Sequence, residues 1–297
     1  MPRPLANPAA KFALIVAIAI VHSHALLPMA PASAAEAMPA AAFSAVIPNF
    51  FDPGRRLARP APDAVRSIRF AATADFPPFS FIGPGGNLAG FNVDLARAIC
   101  TELAVPCTMQ ARPFDSLEAS LVEGRVDAVI AGLAITAVSR QKLAFSDVYL
   151  RPAARFVAVR SWPDAALTPA AMAGKRIAVV SGSAHAAYLA AFFPKAEPLP
   201  VPSLPLAAEA VKAGTADLAF GDGLQFAFYL QSAAAEGCCA FVGGPYLEPR
   251  FFGEGFAIAL PPDRPELREA IDWALDSLYD KGVFAEIYLR SFPVSYF

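Results

Sequence analysis

Short apolar runs alternate with segments of helical period along most of this chain. Residues 67–73, 108–112 and 126–131 read as strands, 92–103 reads as an amphipathic helix capped by Asn92, and 115–123 as a second helix. After Tyr149 the pattern restarts. Strand-like 155–160 and 176–180 lead to a helix over 183–192, another near 206–213, a strand over 216–220 and a helix after Asp222. Near the end, 255–260 is strand-like, and 265–280 sets Leu267, Ile271, Ala274, Leu275 and Leu278 on one helical face before Lys281-Gly282 ends it. Alternation of this kind predicts parallel sheets flanked by helices. Two such units with a strand and helix left over predict two lobes, the chain returning to the first at its end. The Pro-rich stretch 194–205 reads as loops, and no repeat is legible.

The front of the chain follows a different pattern. Arg3 and Lys11 precede the apolar run 12–21, then come Pro28 and the small-residue stretch Ala30-Pro31-Ala32-Ser33-Ala34, the form of a signal peptide with cleavage expected after Ala34. The apolar run is well short of the roughly 20 residues a spanning helix needs. No Cys precedes Cys100, so a lipid-modified amino-terminal Cys is not expected, and the processed protein should be soluble outside the inner membrane. Residues 35–66, rich in Ala and Pro with Arg55-Arg56, lack periodicity and read as a flexible lead-in.

Composition narrows the class. The chain has 297 residues, 56% hydrophobic and 17% charged, enough for one large or two medium cores. Without the leader, 22 bases face 26 acids, a net charge of −4 that gives no reason to expect nucleic acid as a partner. All four Cys follow the leader, in a setting where bridges persist. Cys100 and Cys107 join a helix end to a strand start and are expected to form a short local disulfide. A bridge between the neighbours Cys238 and Cys239 would strain their peptide, so two buried or reduced thiols are expected there. No phosphate loop, metal-ligand cluster or Ser-His-Asp arrangement stands out, and no cofactor and no metal are expected.

The order of elements and several motifs resemble family 3 of the bacterial extracellular solute-binding proteins, the polar amino acid group. The matching pieces are Phe76-Pro77-Pro78-Phe79, Gly90-Phe91-Asn92-Val93-Asp94, Gly124-Arg125-Val126-Asp127-Ala128, Gly132-Leu133-Ala134-Ile135-Thr136, Phe145-Ser146-Asp147-Val148-Tyr149, Gly174-Lys175-Arg176-Ile177 and Ala216-Asp217-Leu218-Ala219-Phe220-Gly221-Asp222. Cys100, Cys107 and Phe252-Gly253-Glu254-Gly255 are similar to the lysine/arginine/ornithine and histidine binders. The resemblance implies an α/β, two-lobed periplasmic binding protein type II fold, each lobe a mainly parallel sheet flanked by helices, joined by a two-segment hinge. Lobe I would hold 67–153 plus 250–297 and lobe II 154–249, with hinges near 151–155 and 249–253.

It also implies a ligand site. A zwitterion needs donors for its carboxylate and an anion for its ammonium. Asp222, at a strand end and helix start, would receive the α-amino group, although simple helix capping would use the same place. Ser183, at a strand-to-helix turn suited to anions, would be a contact, with His185 beside it. Phe76 and Phe114 match positions that cover the ligand, and Gly132 and Ala134 lie in a contact motif. The family's Arg, three residues after Thr136, is replaced by Ser139, leaving Arg140 one helical step away. Ala134 stands where a hydroxyl is usual, and Thr73 where basic amino acid binders present an Asp, so cationic amino acids are disfavoured.

The function so implied is the periplasmic substrate-binding component of an ABC importer. It would be a monomer that binds an amino acid or derivative between closing lobes, docks on an inner-membrane ABC permease and catalyses nothing. Two other readings attach to the same fold. One is an enzyme similar to cyclohexadienyl dehydratase, whose pocket acid would fall at His185. The other is a soluble partner presenting ligand to a sensor kinase.

Overall fold

The structure, a computed structural model, describes residues 48–50, 52, 54–55, 57–163 and 167–292, so the leader expected at 1–34 lies outside it. Strand β1 (Ile68–Ala72) opens the fold, and a small antiparallel sheet of β2 (Asp75–Phe76), β3 (Ser80–Ile82) and β4 (Leu88–Ala89) follows. Then come α1 (Phe91–Leu103), β5 (Cys107–Ala111), α2 (Leu117–Val122), β6 (Ala128–Val129) and β7 (Ala144–Phe145). The second half runs β8 (Ala154–Val159), β9 (Arg176–Val180), α3 (Ala184–Phe192), β10 (Glu197–Val201), α4 (Leu204–Lys212), β11 (Leu218–Asp222), α5 (Gly223–Gln231) and β12 (Cys239–Tyr246). The short α6 (Pro249–Phe252) leads back to β13 (Ala259–Leu260), α7 (Pro265–Asp280) and α8 (Val283–Ser291).

Two five-stranded sheets result, ordered β5-β1-β6-β13-β7 and β10-β9-β11-β8-β12. In each, the first three strands are parallel and the last two join antiparallel. The sheets therefore repeat one plan that no sequence repeat betrays. The same device pins both: Arg69 bonds Asp127 at 2.8 Å and the Gly124 carbonyl at 2.9 Å, while Arg176 bonds Asp217 at 2.8 Å and the Gly214 carbonyl at 3.1 Å. Exposed pairs of this kind contribute little to stability.

Each sheet carries its own core. Phe91, Leu95 and Ile99 of α1 face Leu267, Ile271 and Leu275 of α7 over the first sheet, with Phe284 and Tyr288 of α8 closing the layer. Each of these side chains contributes roughly 1.5–3 kcal/mol on burial. Over the second sheet, Tyr188 and Leu189 of α3 pack on Phe156 and Phe220, and Phe226 of α5 packs with Ala207 and Val211 of α4.

Three expectations need correction. Asn92 is not a cap: Gly90 precedes the helix at φ 117°, where a Cβ would meet the Phe79 and Pro78 carbonyl oxygens at 2.6 and 2.7 Å. Asn92 is instead buried, donating to the Ile130 carbonyl at 3.1 Å and accepting from the Tyr149 hydroxyl at 3.0 Å. The Pro-rich stretch 194–205 contains strand β10. The Glu197 N–H donates to the Lys175 carbonyl at 2.9 Å and the Ser181 N–H to the Val201 carbonyl at 3.0 Å, while Pro198 and Pro200 occupy the alternate positions on the sheet edge, where no donor is needed. Finally, Cys238 and Cys239 form a disulfide, as Cys100 and Cys107 do. Their Cα atoms are 3.7 Å apart, the spacing of a trans peptide.

The chain passes between the sheets twice, and the two passages are stitched together at both ends. Tyr149 donates to Phe256 at 2.9 Å and Phe256 to Leu150 at 2.6 Å, and Tyr246 pairs with Ala154. Gly255 is required here, because at φ +120° a Cβ would lie 2.5 Å from Val148 Cγ1 and 2.7 Å from the Leu150 oxygen. The described part of the lead-in lies beside the first passage: Arg55 pairs with Asp147, and Arg151 sits 5.6 Å from the Phe50 ring. Arg59 covers Trp273 at 5.5 Å and Val65 is buried. Isolated Arg–aromatic contacts of this type leave no periodicity in sequence.

Candidate functional site

Asp222 is the last residue of β11 and the N-cap of α5, its carboxylate accepting from the Gln225 N–H at 2.8 Å. Burial raises its pKa above the usual carboxylate range, and the N–H groups of Gln225 and Leu224 only partly offset that. Facing it across the first passage is an aromatic wall. Phe76 stacks on Phe79 with centroids 4.7 Å apart, and both present to the edge of Phe256, at 6.1 and 5.0 Å. Gly132, at φ +68°, lies behind this wall, since a Cβ there would touch Phe256 and Phe76 at 3.5 and 3.6 Å. Between the wall and the start of α5 is a cavity of about 250 Å³, lined on the far side by Asp222, Leu224 and Phe228.

The other expected residues do not join it. Phe114 and Ala134 line a separate cavity of about 260 Å³ with Thr136, Ser139 and Lys142, on the first-sheet unit alone. Ser139 is consumed by its own turn, accepting from the Thr136 N–H at 2.9 Å and donating to the Ala134 carbonyl at 2.8 Å. Arg140 pairs with Glu254 at 2.7 Å and lies 5.9 Å from the Phe145 ring. Thr73 is 2% exposed, its hydroxyl 3.3 Å from that of Ser80. Ser183 caps α3, donating to the Val180 carbonyl at 2.7 Å and accepting from Ala186 at 3.1 Å. His185 stacks on Phe252 at 5.0 Å and meets the edge of Phe220 at 5.9 Å, and burial pushes its pKa down to about 4.

Phe79, Leu224, Phe228 and Phe256 were missed by sequence reasoning. Their signal lay in being neighbours of recognised pieces: Phe79 within Phe76-Pro77-Pro78-Phe79, Phe256 after Gly255, and the others in the helix that follows Asp222. Among the described residues, no group of three or more His, Cys, Asp or Glu side chains could hold a metal, and no helix is long and apolar enough to cross a membrane.

This arrangement, two sheets of one plan joined by a double passage with a cavity beside it, agrees with the comparison to known proteins. Residues 68–294 match the model of the bacterial extracellular solute-binding proteins, family 3. The chain belongs to this family. Among its relatives is ABC transporter arginine-binding protein 1 of Escherichia coli K12, 31% identical over 77% of this chain and 92% of the relative. Another is the histidine-binding periplasmic protein of Salmonella typhimurium, 28% identical over 76% of this chain and 88% of the relative. The unliganded, open L-cystine solute receptor of Neisseria gonorrhoeae shares the fold at TM-score 0.67 and 21% identity, covering 77% of this chain and 94% of the receptor. An ancestral cationic amino acid solute-binding protein superposes at TM-score 0.58 and 25% identity, over 76% of this chain and 95% of that protein. The solute-binding protein thus has the type II periplasmic binding protein fold expected from its motifs.

Proposed function

We propose that this solute-binding protein is exported to the periplasm and captures a small polar ligand, an amino acid or derivative, for delivery to an inner-membrane ABC permease. The observation that carries this reading is the cavity where Asp222, at the end of a second-sheet strand, faces Phe76 and Phe256 of the first-sheet side. Ligands in such folds sit where strand ends meet helix starts. Residues 67–153 with 250–297 act as one lobe and 154–249 as the other. The two stitched passages are the hinge, and closure upon ligand brings the lobes together. Phe114, Ala134, Ser183 and His185 lie outside this cavity.

A thermal-shift screen of the purified protein against amino acids and their decarboxylated amines tests the reading. Ligand at a hundredfold over its dissociation constant adds about 2.7 kcal/mol, a rise of roughly 5–10 °C for a chain of this size. A melt that no member of either class moves would overturn it.

A further inference from the structure

We infer that the cavity over Asp222 takes a small monocation with an apolar body and no carboxylate, an aryl- or alkylamine; this rests on the binding reading above and narrows its ligand. The argument is the charge complement of the walls. Asp222 is the one ionisable side chain among the described residues that line the cavity, and the remainder is mostly ring and aliphatic surface, with the Gln225 amide as its other polar side chain. An ammonium meets both partners it needs there, a half-buried carboxylate for a charge-assisted bond and the aromatic rings of Phe76 and Phe256 for the cation's outer side.

A carboxylate on the same ligand finds no such reception. At the start of α5 the Gly223 N–H donates to the Ala153 carbonyl at 2.8 Å and the Gln225 N–H to Asp222 itself at 2.8 Å. At the start of α1, behind the aromatic wall, the Phe91 and Asn92 N–H groups donate to the Pro78 and Phe79 carbonyls at 3.0 and 2.8 Å. Arg140, Arg151 and Arg155 are not among the residues that line the cavity. Arg140 pairs with Glu254 at 2.7 Å, Arg151, between the lining residues Leu150 and Pro152, lies 5.6 Å from the Phe50 ring, and Arg155 lies over the Phe241 ring at 4.6 Å. A ligand carboxylate would therefore enter an apolar space whose one fixed charge is also negative, an arrangement that disfavours it strongly. The volume of about 250 Å³ lies below the roughly 300–1,000 Å³ of larger ligand sites, which limits the body to a single ring or a short branched chain.

Matched pairs differing only in the carboxylate decide the matter. Isothermal titration of the purified protein would compare phenethylamine with L-phenylalanine and 3-methylbutylamine with L-leucine, with 2-phenylethanol as the uncharged control. Each amine is expected to bind at least tenfold tighter than its parent amino acid, and phenethylamine at least tenfold tighter than the alcohol. Asp222→Asn, which keeps a helix cap, should abolish amine binding, and Arg140→Ala should leave it within twofold. An amino acid that binds as tightly as its amine, or an alcohol that does, would overturn the inference and leave the binding reading standing. Failure of both classes to bind a protein that still melts cooperatively would overturn the two together.

Discussion

Acid should weaken this fold through a single histidine, and by a calculable amount. His185 is sandwiched between Phe252 of the return passage and Phe220 of the second sheet, and burial lowers its pKa from 6.5 to about 4. In the unfolded chain the imidazole takes up its proton near pH 6.5, while in the folded protein it does so only near pH 4. The stabilising difference is therefore fully present above pH 6.5 and is lost as pH falls toward 4. One proton difference is worth about 1.4 kcal/mol per pH unit, which gives about 3 kcal/mol over the whole window and about 2 kcal/mol by pH 4.5. The assay is urea unfolding of the wild type and of His185→Phe, which keeps a ring between the two phenylalanines, at pH 7.5 and 4.5. Other titrating groups are common to both proteins and cancel in the double difference. The wild type should lose about 2 kcal/mol more than the variant on acidification. A double difference under about 0.5 kcal/mol, the usual scatter for independent sites, would refute the assignment of a buried, neutral His185.

Asp272 should act in the opposite direction. Its carboxyl accepts from the Asp147 N–H at 2.7 Å, and burial, against the pull of Arg55 and Arg268, raises its pKa to about 7. Because the folded value exceeds the unfolded one, its contribution to stability falls as pH rises from about 4 to 7, so Asp272→Asn should gain about 4 kcal/mol at pH 8 and little at pH 4 by chemical denaturation. Gly255→Ala places a Cβ against the backbone and side chains of the first passage at a positive φ, and should cost about 3 kcal/mol or more in the same assay. Asp222→Ala should lose about 1 kcal/mol of capping that Asp222→Asn retains, and both should bind ligand poorly. Thiol titration of the unreduced, denatured protein should find no free Cys; two thiols would return Cys238 and Cys239 to the reduced state and remove the second bridge. Opening the Cys100–Cys107 bridge should cost about 2 kcal/mol from its short loop.

Reading the chain residue by residue located most elements, and two of the residues it singled out, Phe76 and Asp222, line the cavity. The helices around Leu267 and His185 and the strands at 68–72 and 176–180 were legible because hydrophobic period depends only on where neighbouring side chains point. Asp222 was legible for the same reason, since a carboxylate at a strand-to-helix junction has a local cause. Strand β10 was hidden because Pro198 and Pro200 read as breakers until an edge position is known, and Asn92 because a polar residue at a helix start is an ordinary cap unless its side chain is seen to turn inward.

What the sequence determined by itself, then, was most of the elements, the kind of export leader expected and the family motifs, all properties of short stretches. Only the tertiary structure decided which residues meet. It put Phe256, more than thirty residues after Asp222 in the chain, beside the same cavity, separated Phe114 and Ala134 from it, and gave Arg140 to Glu254. These outcomes depend on how two passages cross between two sheets, and the side chains involved come from segments whose own patterns carry no information about one another.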